Sequence, residues 1–149
     1  MKKTLTFCLL LAILFAVSPA QASTPMSVII DSTMDLNTRT GTFAATGPAV
    51  DAGVFCPAGD VFDLDLMATG YQSGNHTNLH MFKRFVCSNG SGEIYLMLNV
   101  RIIPPITLSN WVVTDGDGDY TRLKGQGKIT ATGVDNLVFD LYTGQVHID

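Results

Sequence analysis

Three groups of side chains in this chain have types and spacings that could do chemistry. Asp115, Asp117 and Asp119 crowd three carboxylates into five residues, the kind of oxygen cluster a calcium ion takes. An EF-hand loop also needs Gly at its sixth position and a bidentate Glu at its twelfth. Counted from Asp115, those positions hold Tyr120 and Gln126, so that motif fails. A loosely hydrated calcium site and a solvated hairpin turn are the two readings left. His76 and His80 have the H-x-x-x-H spacing that joins two imidazoles on one zinc only when the segment is helical. On a strand the same spacing covers about 13 Å, too far for joint ligation, and His147 stands alone. Asp63 and Asp65 would lie about 6–7 Å apart on one strand face. That separation could serve paired-carboxylate hydrolysis, and a polar outer face accounts for it equally well.

No G-x-S-x-G elbow, Walker loop, H-E-x-x-H or C-x-x-C spacing occurs, so no catalytic residue, metal ligand or cofactor is assigned. Cys56 and Cys87 are read as a disulfide. Neither has the spacing or activating neighbour of a reactive thiol, and an exported protein keeps such pairs oxidised.

Export is read from the N-terminus. Lys2 and Lys3 precede an apolar run from Leu5 to Val17, and Ser18-Pro-Ala-Gln-Ala22 supplies small residues in an A-x-A pattern. This is the pattern of a secretory signal peptide over residues 1–22, cleaved near Ala22 and taking Cys8 with it. The run is too short to be a membrane span. Residues 23–149 are then a single secreted or periplasmic domain of bacterial style. The whole chain has 9 basic and 13 acidic residues, a net charge of −4. Loss of Lys2 and Lys3 makes the mature domain more acidic still, which gives no support to nucleic acid or anionic lipid as a partner.

The elements that would position these residues are strands. After residue 22 no window longer than ten residues keeps apolar residues at helical spacing, whereas alternation is frequent. Ile94, Leu96, Leu98, Val100 and Ile102 point one way, with Glu93, Tyr95, Met97, Asn99 and Arg101 on the other face. Phe62, Leu64 and Leu66 alternate with Asp63, Asp65 and Met67 in the same manner. Leu123, Gly125, Gly127, Ile129 and Ala131 share a face, and inner-face glycines let a barrel bend or another segment approach. In the last run Leu137, Phe139 and Leu141 share one phase but Val146 and Ile148 take the other, which predicts a bulge near Thr143-Gly144. Turns rich in Gly, Asn, Asp and Ser separate the runs, and Pro104-Pro105 ends the best strand. Seven or eight evenly spaced strands predict an all-β fold, a single antiparallel β-barrel of about eight strands.

Several segments carry a family resemblance. Phe85-Val-Cys87-Ser-Asn-Gly-Ser-Gly-Glu93, Trp111-Val-Val and Gly116-Asp-Gly-Asp-Tyr120-Thr-Arg-Leu123-Lys-Gly125-Gln-Gly127 are the most specific. Gly47-Pro-Ala-Val-Asp-Ala-Gly-Val-Phe-Cys56-Pro-Ala-Gly59 and Tyr142-Thr-Gly-Gln-Val-His147 accompany them. Together they resemble secreted bacterial proteins with an allene-oxide-cyclase-like barrel, a calycin-type architecture related to dirigent proteins. The resemblance implies the barrel; Asp117 stands where related hairpins carry Thr or Ser. The plant cyclases act on an unstable fatty-acid epoxide held inside the barrel, but no pocket residue of theirs is matched here. The expectation is therefore a secreted, disulfide-stabilised barrel that binds a small apolar ligand or a surface partner without catalysis. The alternative is a cyclase or isomerase acting on a small hydrophobic substrate inside the barrel. Tyr95, Asn99 and Arg101 would serve it if the polar face of their strand looks inward.

Overall fold

The computed structural model describes residues 23–65, 71–73, 76–103 and 106–149. The expected signal peptide, Leu66, Met67, Asn75 and Pro104-Pro105 lie outside the described residues. The elements are β1 (Met26–Asp35), β2 (Thr40–Thr46), a one-turn helix α1 (Pro48–Asp51), β3 (Ala58–Asp65), β4 (Tyr71–Ser73), β5 (His76–Cys87), β6 (Glu93–Ile103), β7 (Ile106–Gly116), β8 (Leu123–Val134) and β9 (Leu137–Ile148). All pairings are antiparallel, in the order β3-β2-β1-β9-β8-β7-β6-β5-β4, and a β3–β5 ladder closes the sheet on itself. The result is an eight-stranded antiparallel barrel, with short β4 appended to β5. Closure pairs β3 with β5 in place of two open edges, the usual answer to the edge-strand problem.

Period-two alternation decides which side chains fill it. On β6 the apolar face points inward: Ile94 and Leu96 are fully buried, while Arg101 is exposed. Tyr95, Asn99 and Arg101 thus belong to the outer wall, and the polar-lined interior considered above is not what forms. Two other strands depart from the expected phase. On β3, Val61 and Asp63 turn inward and Leu64 is exposed, the reverse of the expected polar outer face. On β9, Val138, Asp140, Tyr142 and Val146 all face inward. Its ladders with β1 and β8 run through Thr143 and Gly144 without a register shift. The expected bulge is absent from those ladders, and Leu137, Phe139 and Leu141 are left outside at 39–43 % exposure. The physical reason is that Asp140 and Tyr142 find polar partners inside, so the inward phase tolerates them.

One end of the barrel is closed. Pro48 starts α1 at a position where its missing N–H is no loss. The helix brings Ala49 under the sheet, where its carbonyl accepts from the amides of Val54 and Phe55. Phe55 fills the end beside the Cys56–Cys87 disulfide, whose Cα atoms are 5.9 Å apart. On the same end the turns around Ser91 and Gly118 lock together. The Asp119 amide donates to the Ser91 carbonyl, and the Ser91 and buried Tyr120 hydroxyls are 2.7 Å apart. Gly118, at φ +60°, passes so close to Ser91 that no side chain would fit. The hairpin and GSG motifs are therefore the two halves of one backbone contact.

From this end an aromatic column runs down the interior. Phe55, Phe43, Phe85 and Tyr142 meet edge to face, with centroid separations of 6.4, 5.0 and 5.7 Å, each contact adding about 0.5–1.5 kcal/mol beyond area burial. Beside the column the Trp111 indole, 1 % exposed, lies against the paired Gly127 and Gly144. A Cβ on Gly144 would meet the backbone carbonyl of Gln126 first and would also come within 2.5 Å of the indole Cζ2. The glycines make room both for the neighbouring strand's backbone and for the largest side chain of the core. Gly144→Ala is therefore expected to lower unfolding stability by about 1–3 kcal/mol, measured by urea denaturation. Part of the loss should be regained in a Trp111→Leu background, where the coupling reads as a double-mutant cycle.

Candidate functional site

The aromatic column stops at the Tyr142 hydroxyl, and a charged layer begins there. Tyr142 donates to Asp140 Oδ2 at 3.1 Å. The Lys83 ammonium donates to the same oxygen at 2.8 Å and lies 4.0 Å from Met34 Sδ. Asp63 Oδ1 is 3.5 Å from Lys83 Nζ, an ion pair outside good hydrogen-bond geometry. The side chains of Lys83, Asp63 and Asp140 are only 4 %, 8 % and 6 % exposed. Asp63 Oδ1 and the Ser32 hydroxyl are buried without a hydrogen-bond partner.

Register explains why these residues converge. Asp63 of β3 stands directly opposite Lys83 of β5. Ser32 of β1 stands opposite Asp140 of β9. Lys83 follows the inward phase of Phe85 and Cys87, so its stem crosses the barrel to reach the far wall. Beyond Asp63 the β3–β5 register shifts, which ends the even alternation expected through Asp65.

Past the charged layer lies a cavity of about 190 Å³ at the barrel end opposite α1. Met34, Met81, Leu98, Val100 and Val138 wall it, and Asp63, Lys83 and Asp140 form its polar floor. A dry apolar cavity of about 150 Å³ accepts benzene, so this volume suits a ring with one or two further heavy atoms. The wall is least tied beside it. Among the described residues β7 and β8 are laddered only from Asn110 to Val112 against Gln126 to Lys128. Ser109 and Ala131, just beyond that ladder, line the cavity. Larger hollows of about 370 and 500 Å³ lie against the outer wall over β7–β9. Their ionisable residues, Lys124, Lys128 and His147, are exposed or half-buried, so neither places a buried charge against bound ligand.

Electrostatics set the layer apart. One ammonium faces two carboxylates, and burying an ion pair is favourable only when its geometry and hydrogen bonds are good. The Lys83–Asp140 pair meets that condition and Asp63 does not. Burial pushes the Tyr142 phenol well above the ordinary tyrosine value; the Asp140 charge, and then the hydrogen bond to it, add to the shift. The phenol is thus held protonated as a donor. Tyr95 is also raised, first by its hydrogen bond to Glu93, but it sits outside with Arg84, whose guanidinium stacks 4.8 Å from the Phe62 ring.

The other candidates from the sequence do not join this site. Asp115, Asp117 and Asp119 are exposed on the hairpin turn, where Asp115 and Asp117 accept from the next backbone amide. Among the described residues no three His, Cys, Asp or Glu gather as a metal site. His76 and His80 lie along one extended strand, β5, and His147 pairs with Asp149 at 3.1 Å near the closed end. Cys56 and Cys87 are bonded to each other. Sequence reasoning passed over Lys83, Asp140 and Tyr142. The available signal was phase: Lys83 interrupts Met81, Phe85 and Cys87, and Asp140 interrupts Val138, Tyr142 and Val146. A charge in the buried phase of a strand is rare unless partnered. No protein-family model, curated protein or solved structure matches the chain.

Two outcomes follow. Lys83→Met leaves two buried carboxylates without their cation and is expected to cost about 3–5 kcal/mol, read by urea denaturation near neutral pH. Replacing Lys83, Asp63 and Asp140 together by apolar residues of similar size should recover most of that loss. The Tyr142 phenol should ionise only well above the ordinary tyrosine range. A phenol whose folded pKa is raised contributes stability that is complete below its unfolded value near 10.0 and is lost as pH climbs through the folded value. Ultraviolet phenolate titration of wild type and Tyr142→Phe should differ only in an alkaline step that coincides with unfolding.

Proposed function

We propose that the protein is a secreted or periplasmic, disulfide-stapled β-barrel that binds a small, mostly apolar ligand in the open end of the barrel. The observation that carries this reading is the apolar cavity with a few convergent polar groups on its floor, the usual anatomy of a small-ligand site. The closed end supports it, because a cup sealed by α1, Phe55 and the disulfide leaves binding to the opposite mouth. Export belongs to the same reading. It rests on the signal-like pattern of residues 1–22 and agrees with a disulfide in the fold. Kinship with the allene-oxide-cyclase-like barrels is proposed on the motif resemblance, and the barrel is consistent with it.

The second reading, a cyclase or isomerase that shapes a hydrophobic substrate in the cavity, is favoured by one specific feature. A carboxylate oxygen buried without a hydrogen-bond partner, on Asp63, and an ammonium, on Lys83, line the same cavity, a pairing of the residue types that acid–base catalysis uses.

Native mass spectrometry of the protein purified from its own host's exported fraction tests the proposal. The expected spectrum has a discrete small-molecule adduct that is lost on denaturation and absent from Ser109→Phe, whose ring would fill the mouth. A bare protein mass in every preparation, with no ligand recovered by extraction, would sink the binding reading. Slow chemical conversion of the recovered ligand on return to fresh protein would favour the enzyme.

A further inference from the structure

We infer that the cup selects ligands carrying a positively charged amine, with the ammonium seated on Asp63. This rests on the ligand-binding reading above and names the chemistry of the head group.

The floor of the cavity is asymmetric in charge and in hydrogen bonding. Asp140 is engaged through Oδ2, which takes the Lys83 ammonium at 2.8 Å and the Tyr142 hydroxyl at 3.1 Å. That pair neutralises itself. Asp63 lies 3.5 Å from the same ammonium but receives no hydrogen bond at Oδ1, although that oxygen is buried. Among the described residues no second Lys, Arg or His comes within 4.0 Å of it. The floor therefore carries an excess carboxylate: Asp63 lines the cavity, and its Oδ1 is buried without a donor.

A buried acceptor without a donor is costly, and a buried charge without a partner more so. A ligand ammonium cures both defects at once, donating to Oδ1 and cancelling the excess charge. A hydroxyl would supply the donor alone. A carboxylate would find Lys83 already committed to Asp140 and would add a third negative charge to the floor. The apolar walls then take the ligand's hydrocarbon part, and the volume of about 190 Å³ limits that part to about one ring.

Four probes of nearly equal size separate the possibilities: benzylamine, benzyl alcohol, toluene and benzoate. Titrated at neutral pH into the purified, disulfide-bonded protein, binding is read from the methyl resonances of Met34 and Met81. Benzylamine is expected to bind at least about tenfold more tightly than toluene, the scale of one charge-assisted hydrogen bond. Benzyl alcohol should fall between them and benzoate should bind weakest. In Asp63→Asn the amine preference should collapse to the toluene level, while retained toluene binding reports an intact cavity. If that variant fails to fold, the wild-type ranking decides alone. Equal binding of toluene and benzylamine, or a preference for benzoate, overturns the assignment of Asp63 and leaves the ligand-binding reading standing. Failure of all four probes to shift the cavity methyls overturns both.

Discussion

Lys83 ties together the strands of the barrel at the level where aromatic packing ends. Its stem belongs to the buried phase of β5, and its ammonium meets Asp63 of β3 and Asp140 of β9. Three side chains from three strands thus meet inside a wall that hydrophobic packing alone could have filled. The aromatic column reaches this layer through the Tyr142 hydroxyl. Tyr142 is held as a neutral donor first by its burial, and the Asp140 charge beside it adds to the effect. Phe85 packs on the Tyr142 ring, and Phe43 on Phe85. Below the level lies the cavity, floored by these polar side chains.

The two ends of the barrel follow different physical logic. The closed end spends its special residues on backbone contact. Glycines at Gly92 and Gly118 let two turns interlock, α1 plugs the opening, and a disulfide spanning 31 residues joins β5 to the segment preceding β3. Cross-linking a loop of that length removes about 3.5–4 kcal/mol of unfolded-state entropy. The mouth has charged and sulfur-bearing side chains and a seam between β7 and β8 held by a short ladder. Stabilising devices are concentrated where no ligand is proposed to enter, and the sparsely laddered seam borders the cavity that would receive one.

Architecture was legible in the sequence because period-two alternation and turn chemistry are local properties. β6 is the clearest case: its apolar face is the buried one over Ile94, Leu96 and Leu98. The inner glycines of β8 were legible as well, although their reason was not. Trp111 lies sixteen residues from Gly127 along the chain but beside it across the β7–β8 ladder. The site was not legible, for the same physical cause that reversed two strand faces. Alternation reports burial only when charged residues stay outside. On β3 and β9 the inward phase carries Asp63 and Asp140, each tolerated through Lys83 on a third strand. No single strand contains that compensation. Read alone, β9 puts Leu137, Phe139 and Leu141 inside and needs a bulge to recover Val146.

The cost of that reversal bears on function. Moving Leu137, Phe139 and Leu141 to the outer wall leaves each about 40 % exposed, while charged groups take up interior volume. Apolar burial is worth roughly 25 cal/mol per Å², and buried ion pairs seldom stabilise more than well-packed apolar residues of the same size. The arrangement is therefore poorly explained as a device for stability. Specificity of register is one alternative use of a buried charge, but the β1–β9 and β8–β9 ladders are long and continuous without help. A polar floor under an apolar mouth is a better account, because it makes use of a feature that packing leaves unexplained, the unpaired Oδ1 of Asp63. The same charge asymmetry that weakens the empty barrel is what would make it selective when filled.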